Sequence, residues 1–438
     1  GSAVGLGNLW RFPYLAARYG GGIFLLVYLI LVVTFGFSLM ITEFAIGRKT
    51  KLSCIGAYGA LDKRFNFLGW IAAFVPLIIT PYYCVIGGWV MKYLWTFISG
   101  GALEAADNGG FFSRFIGFDA GSLPATILNF SGPTPWFVLF VLITGLVVIF
   151  GVQKGIENAS RLMMPVLAVL IVVIALYSLT IPGALAGVKY YLMPDFSQFS
   201  ASTVLGACGQ MFYSMSLAMG ITITYGSYMP KENLLEHSVT QIEIFDTLFA
   251  FFAGLMIIPA VIAFNGGPSL MFISLPMVFD SMKFGTVIGA VFFLLVLFAA
   301  LTSSIALMET LASVIMDKFK LKRIPATLII IAICLVVGML SCLGYGPWES
   351  VTIIGMQFLD FFDFISNSVL MPIVAVLTCV LIGHVVGTRV VADEVKSGAG
   401  SFHREKLHRV MIRWIAPILL VAILASELAS KIFGVFSI

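Results

Sequence analysis

Charge is what this sequence has least of: 11% of its 438 residues are charged, against roughly 25% in ordinary soluble domains. The chain is also 60% hydrophobic, with a mean hydropathy of +1.05. It lacks the polar surface to cover itself in water, so lipid must serve as part of its solvent. Disorder, a collagen-like repeat and a secreted disulfide scaffold are excluded on the same ground. The six cysteines (Cys54, Cys84, Cys208, Cys334, Cys342, Cys379) stand singly, mostly inside apolar runs and with no CxxC pair. They read as small buried hydrophobes, not as a metal or disulfide framework. The four histidines (His237, His384, His403, His408) lie near predicted loops or span ends and supply no paired axial ligands for a membrane haem.

What the chain has instead is long Leu/Ile/Val/Phe runs. Hydropathy predicts about eleven spans, roughly at 1–18, 22–46, 67–98, 135–152, 161–181, 205–228, 241–264, 285–315, 325–343, 351–382 and 410–432. Long outer loops are predicted at roughly 99–134, 183–200 and 265–284. Alternating sides along these spans puts 18 of the 25 Lys and Arg on one face, which the positive-inside rule makes cytoplasmic. The start of span 1 is then cytoplasmic and the C-terminus outside. The polar/apolar dyad of a membrane β-barrel is absent, so the expected fold class is an all-α polytopic membrane protein.

Two spans interrupt good helix formers with small and polar residues: Gly1-Ser-Ala-Val-Gly-Leu-Gly-Asn8 in span 1 and Ser214-Met-Ser-Leu-Ala-Met-Gly220 in span 6. Discontinuous spans at corresponding positions of two halves point to a transporter's midplane site. The plainer reading, glycines that permit close helix packing, accounts for the glycines but not for Asn8 and Arg11 beside them. Asn8, Arg11, Glu43, Asp246, Glu309 and Asp363 are all predicted at membrane depth or its edge, where each needs a partner or water. Thr302-Ser303-Ser304 in span 8 either bond carbonyls one turn back or contribute oxygens to a hard cation such as Na⁺.

The string Gly1-Ser-Ala-Val-Gly-Leu-Gly-Asn-Leu-Trp-Arg-Phe-Pro-Tyr14 resembles the first-span signature of the neurotransmitter:sodium symporter family. Glu43-Phe-Ala-Ile-Gly-Arg48, Tyr82-Tyr83, Gly209-Gln-Met-Phe-Tyr-Ser214, Thr224-Tyr-Gly-Ser-Tyr228 and Leu301-Thr-Ser-Ser304 extend the likeness over nearly the whole chain. Within the family it is strongest to bacterial carriers of hydrophobic amino acids. The resemblance implies two inverted five-helix repeats with broken helices 1 and 6. The first repeat is expected at 1–182, with the start of span 1 lying before Gly1, and the second at 183–386; a cytoplasmic loop and span 11 would fill 387–438. It further implies two Na⁺ sites. The first would use Ala3, Asn8, Ser214, Asp246 and the substrate carboxylate; the second would use Gly1, Val4, Ala299, Thr302 and Ser303.

Asp246 departs from the asparagine expected there. Chloride-dependent relatives balance sodium charge near this place, with contributions from residues matching Tyr28, Gln210 and Ser214, so a fixed carboxylate implies that chloride is not required. The alternative is a structural bridge from Asp246 to a cytoplasmic-side lysine. Gly5 stands where monoamine carriers of the family place an aspartate, which implies a free amino acid as substrate. Its carboxylate would meet the Leu6 and Gly7 amides at a half-helix N-terminus and the Tyr83 hydroxyl. Ala3, Gly5, Ser214 and Ser303 would contact the same substrate, and Ile79, Tyr83, Tyr213, Ser216, Met219 and Leu307 would line an apolar side-chain pocket. Arg11 and Asp363 match an outer ion-pair gate, with Tyr213 as a lid, unless Arg11 merely snorkels to the interface. Asp317 and Tyr228 match an inner gate whose arginine would lie before Gly1. Glu43 is expected to cap unpaired amides of broken span 6. Gly155 and Pro165 resemble a helix-unwinding motif, the alternative being a static kink.

These readings lead to a Na⁺-coupled symporter of the bacterial cytoplasmic membrane that imports hydrophobic L-amino acids such as leucine and tryptophan by alternating access. A single chain would suffice for transport, and no nucleic acid is involved. An enzyme is not expected, since no nucleophile and base pair, metal cluster or phosphate loop stands out. An ion channel or a non-transporting amino-acid receptor are the alternatives.

Overall fold

The structure, a computed structural model, describes residues 3–107, 109–117, 125, 129–263, 270–280, 282–397 and 400–433. Among them every named element is helical, as continuous apolar runs require when each backbone polar group must be satisfied within lipid. Eight helices are long and apolar enough to cross a membrane: Gly22–Thr50, Lys63–Ile98, Lys154–Ser178, Leu235–Pro259, Gly285–Phe319, Arg323–Leu343, Phe358–Val385 and Glu405–Ala429. Thr134–Ile149 is a shorter ninth. The two remaining traverses are the broken ones. Span 1 is non-helical at 3–5 and is then wound without interruption through Gly7–Arg11 and Phe12–Arg18, and span 6 is interrupted between Ala201–Ser214 and Ile221–Tyr228.

The expected bounds shift where polar residues are carried inside a helix. Span 5 was expected from about 161, but its helix begins at Lys154, because a wide turn over Val152–Glu157 keeps three polar residues within the winding. The outer loops are also not plain loops. Gly110–Ile116, Ala184–Leu192 and Leu275–Asp280 are helices too short to register as spans.

Span 8 packs along span 3, and the inner half of span 6 lies on span 2. That second contact is a backbone contact. A Cβ added at Gly47 would meet the Ile223 carbonyl oxygen at 1.9 Å, and one at Gly226 the Phe44 carbonyl oxygen at 2.5 Å, so small residues set the helix separation. At the end rich in Lys and Arg, the fully buried Arg48 donates to Glu394 at 2.8 Å and to the Asn233 carbonyl at 2.8 Å. It thereby ties the loop before span 7 and the short helix Arg389–Lys396 to the end of span 2.

Candidate functional site

Both breaks follow from local sequence. In span 6 the helix stops at Ser214 and resumes at Ile221, and between them Ser216, Ala218 and Gly220 take φ of 55°, 60° and 71°. Left-handed backbone at two residues with a Cβ costs energy, so something must hold it. Glu43 of span 2 does so, accepting from the Ala218 amide at 2.9 Å and from the Thr222 hydroxyl. In span 1 the helix begins at Leu6. The freed Gly5 amide donates to Asn8 Oδ1 at 3.1 Å, and the Leu6 amide to the Tyr83 hydroxyl at 3.4 Å. A helix N-terminus therefore opens inside the bundle, with its dipole favouring an anion.

The residues expected at the first ion site form one buried cluster. Asn8 Nδ2 donates to Ser214 Oγ at 3.0 Å, to Asp246 Oδ1 at 2.8 Å and to the Asp246 carbonyl at 3.1 Å. The Ser214 hydroxyl donates to Asp246 Oδ1 at 2.5 Å, and the Tyr28 hydroxyl to Oδ2 at 2.9 Å. Three donors thus converge on one fully buried carboxylate, an acceptor-only group when ionised. Among the described residues no lysine or arginine is in ion-pair range of it, so a structural bridge to lysine is not how Asp246 is partnered. Gln210 joins the cluster through Nε2, which donates to the Gly7 carbonyl at 2.7 Å.

At the second expected site the Thr302 hydroxyl sits 3.1 Å from the Val4 carbonyl oxygen and 3.0 Å from that of Ala299. Three hard oxygens from spans 1 and 8 are thereby gathered within bonding distance, a donor type suited to Na⁺. The Ser303 side chain lies beside the Tyr83 hydroxyl and Gly5. Gly1 lies outside the described residues, and no group of three or more His, Cys, Asp or Glu gathers among them.

A narrow pocket of about 30 Å³ lies between these clusters. It is lined by Gly5, Gly7, Asn8, Ile79, Tyr83, Tyr213, Ser214, Ser216, Met219, Ile221, Ser303 and Leu307. Of the residues expected to contact substrate, Ala3 and Leu6 do not line it and the others do; Ile221 is added, and as the first residue after the break it carried no signal apart from its neighbours. Its volume is far below the roughly 300–1,000 Å³ of ligand sites, so the walls must move apart to admit a substrate. Tyr213 also lines a larger vestibule of about 640 Å³ above it, together with Arg11, Tyr82, Trp89, Phe272 and Asp363. Within that vestibule Arg11 and Asp363 are not bridged. The guanidinium lies over the Tyr213 ring, 5.2 Å from its centroid, and Asp363 accepts from Tyr82 at 3.0 Å and Asn367 at 2.5 Å. Asn367 is one helical turn from Asp363, the spacing that would have flagged it as a partner.

At the other end Asp317 accepts from the Ser53 amide at 2.6 Å. Tyr228 donates not to Asp317 but to Glu309, at 2.7 Å, and Glu309 is paired with Arg323. Sequence flagged Glu309 as an acid in the membrane without finding its partner, because Arg323 lies fourteen positions on, in the next span. Gly155 sits in the wide turn of span 5, where a Cβ would meet the Val147 carbonyl oxygen at 2.0 Å; Pro165 lies inside the unbroken helix Asn158–Ser178.

Comparison with known proteins fits this arrangement. Residues 1–102 and 120–433 match the family described as the Sodium:neurotransmitter symporter family. The uncharacterized sodium-dependent transporter YhdH of Bacillus subtilis is 35% identical over 92% of this chain and 88% of its own length. The sodium- and chloride-dependent GABA transporter 2 of Bos taurus is 26% identical over 73% of this chain and 60% of its own. Among solved structures, MhsT in complex with L-phenylalanine superposes with a TM-score of 0.87 at 36% identity, covering 97% of this chain and 96% of that one.

Proposed function

The chain belongs to the sodium:neurotransmitter symporter family, and from that premise we propose that it is a symporter coupling Na⁺ entry to uptake of hydrophobic L-amino acids by alternating access. It is a multi-pass membrane protein of a family of sodium-dependent transporters. The observation that carries the finer reading is a single pocket where a half-helix N-terminus, apolar walls and a buried oxygen cluster converge. The substrate carboxylate meets the amides at the start of span 1 and the Tyr83 hydroxyl; its side chain occupies the wall of Ile79, Met219, Ile221 and Leu307. MhsT, whose solved complex holds L-phenylalanine, supports that class.

One Na⁺ enters between Asn8, Ser214, Asp246, the Ala3 carbonyl and the substrate carboxylate. A second enters at the Val4 and Ala299 carbonyls with Thr302 and Ser303. Because one carboxylate oxygen serves both substrate and ion, each raises the other's affinity by the same factor. Residues 1–182 and 183–386 act as inverted repeats around this site, with 387–438 appended. Closure brings Arg11 and Asp363 together over Tyr213, and the inner route then opens near span 5. The Asp246 carboxylate supplies the negative charge that chloride gives other members, so transport needs no chloride. The Lys/Arg-rich face is cytoplasmic, and the membrane is the bacterial cytoplasmic one.

The test is uptake of labelled leucine and tryptophan into proteoliposomes, with and without an inward Na⁺ gradient, in chloride and in gluconate. Accumulation that needs Na⁺ and ignores chloride is the expected result. Sodium-dependent binding without accumulation would replace this reading with a receptor, and Na⁺ current without substrate with a channel.

A further inference from the structure

Away from the Lys/Arg-rich face, the end of span 3 meets the start of span 4 in a groove lined by Lys92, Trp95, Phe130, Trp136, Leu139 and Leu142. Lys92 is half-buried there. Its ammonium lies 5.6 Å from the Trp136 ring centroid and 5.9 Å from that of Phe111. Among the described residues no carboxylate is in ion-pair contact with it; Glu104 acts on it only from longer range, and the ammonium packs directly on aromatic faces. Trp95 stands 6.4 Å from Trp136, whose indole is fixed by donating to the Phe130 carbonyl at 3.0 Å. Below this box Leu139 and Leu142 follow Trp136 at three-residue steps on one face of span 4, both exposed, as are Trp95 and Phe130. At about 1.5 Å rise per residue the apolar strip runs roughly 9 Å toward the membrane centre.

We propose that this groove is a binding site for one anionic glycerophospholipid, its phosphate on Lys92 between the two rings and an acyl chain along Leu139 and Leu142. The charge selects the occupant: an ammonium at headgroup depth attracts a net anion, and an apolar strip continuous with it fits a chain where a free phosphate would leave it bare. The aromatic pair lies at the interface where such rings are favoured. The site is separate from the transport pocket, and its existence does not depend on the transport reading.

Native mass spectrometry of the full chain, titrated with phosphatidylglycerol, with phosphatidylcholine of the same chains and with inorganic phosphate, tests it. One phosphatidylglycerol adduct is expected to outlast the others. Lys92→Gln should weaken that adduct about fivefold, the worth of one basic residue at an anionic surface. Lys92→Arg should retain it and Lys189→Gln should leave it unchanged. Leu139→Trp, which fills the groove and spares the charge, should also weaken it. Equal binding of phosphatidylcholine, equal binding of free phosphate, or an adduct indifferent to both Lys92→Gln and Leu139→Trp would each overturn the proposal.

Discussion

Gly5 lies so close to span 8 that the first atom of any side chain there would stand 2.1 Å from Ser303 Oγ and 3.2 Å from the Tyr83 hydroxyl. An aspartate cannot be seated at this position without displacing the Ser303 side chain and crowding Tyr83, which accords with a substrate bringing its own carboxylate. Gly5→Ala should therefore overpack the pocket, costing about 1–3 kcal/mol of stability read as a lower melting temperature, and should lower Na⁺-dependent leucine binding at least several-fold. Scintillation proximity binding beside thermal unfolding separates the two effects. Asp246 is the second decisive residue, as the acceptor of three buried hydrogen bonds. Asp246→Asn removes the fixed charge and keeps the shape. Uptake by that variant should fall about tenfold or more in gluconate, a loss of the size of a charged hydrogen bond, and recover at least in part in chloride. Uptake unchanged in both media would show that the carboxylate does no charge balancing.

At the level of the helix, the breaks in spans 1 and 6 are maintained by side chains from unbroken neighbours. Glu43→Ala would orphan the Ala218 amide and the Thr222 hydroxyl beside two left-handed residues. A loss of about 2–3 kcal/mol is expected for buried groups left without their charged partner, read as a lower melting temperature in detergent; Glu43→Gln should recover much of it. Span 5 is wound through Pro165 in this structure, yet proline cannot donate to the carbonyl one turn back, so the helix lacks one bond just past its wide turn. Pro165→Ala should slow transport while leaving binding unchanged. Hydrogen exchange over 152–165 should slow in the same variant if opening of this segment is the step affected.

Across the whole molecule, the pocket is roofed by Tyr213 beneath an open vestibule in which Arg11 and Asp363 face one another unbridged. Spin labels placed across that vestibule should approach when Na⁺ and leucine are added together, and neither alone should suffice if the two bindings are one event. Asp363→Asn should weaken this closure while leaving Na⁺ binding in place. At the opposite end, the pairing of Tyr228 with Glu309 and Arg323 and the anchoring of Arg48 on Glu394 hold the Lys/Arg-rich ends of spans 2, 6, 8 and 9 and the short helix Arg389–Lys396 together, and the bundle is closed on that side.

Composition and periodicity alone determined that this is a helical membrane protein, because a chain with so few charges has no other solvent. The order of small and polar residues located the two breaks, because only such residues tolerate unwound backbone near the midplane. The family resemblance, not any local string, implied that Asn8, Ser214 and Asp246 belong together, and in the structure they hydrogen-bond to one another. Which oxygen faces which donor was decided only in three dimensions. The partners of Asp246 come from spans 1, 2 and 6, and neither Arg323 on Glu309 nor Ser303 on Tyr83 is set by any spacing in the chain. That Arg11 lies on Tyr213 while Asp363 accepts from Tyr82 and Asn367 was likewise beyond the sequence, since spacing along the chain does not choose between these partners and a direct pair.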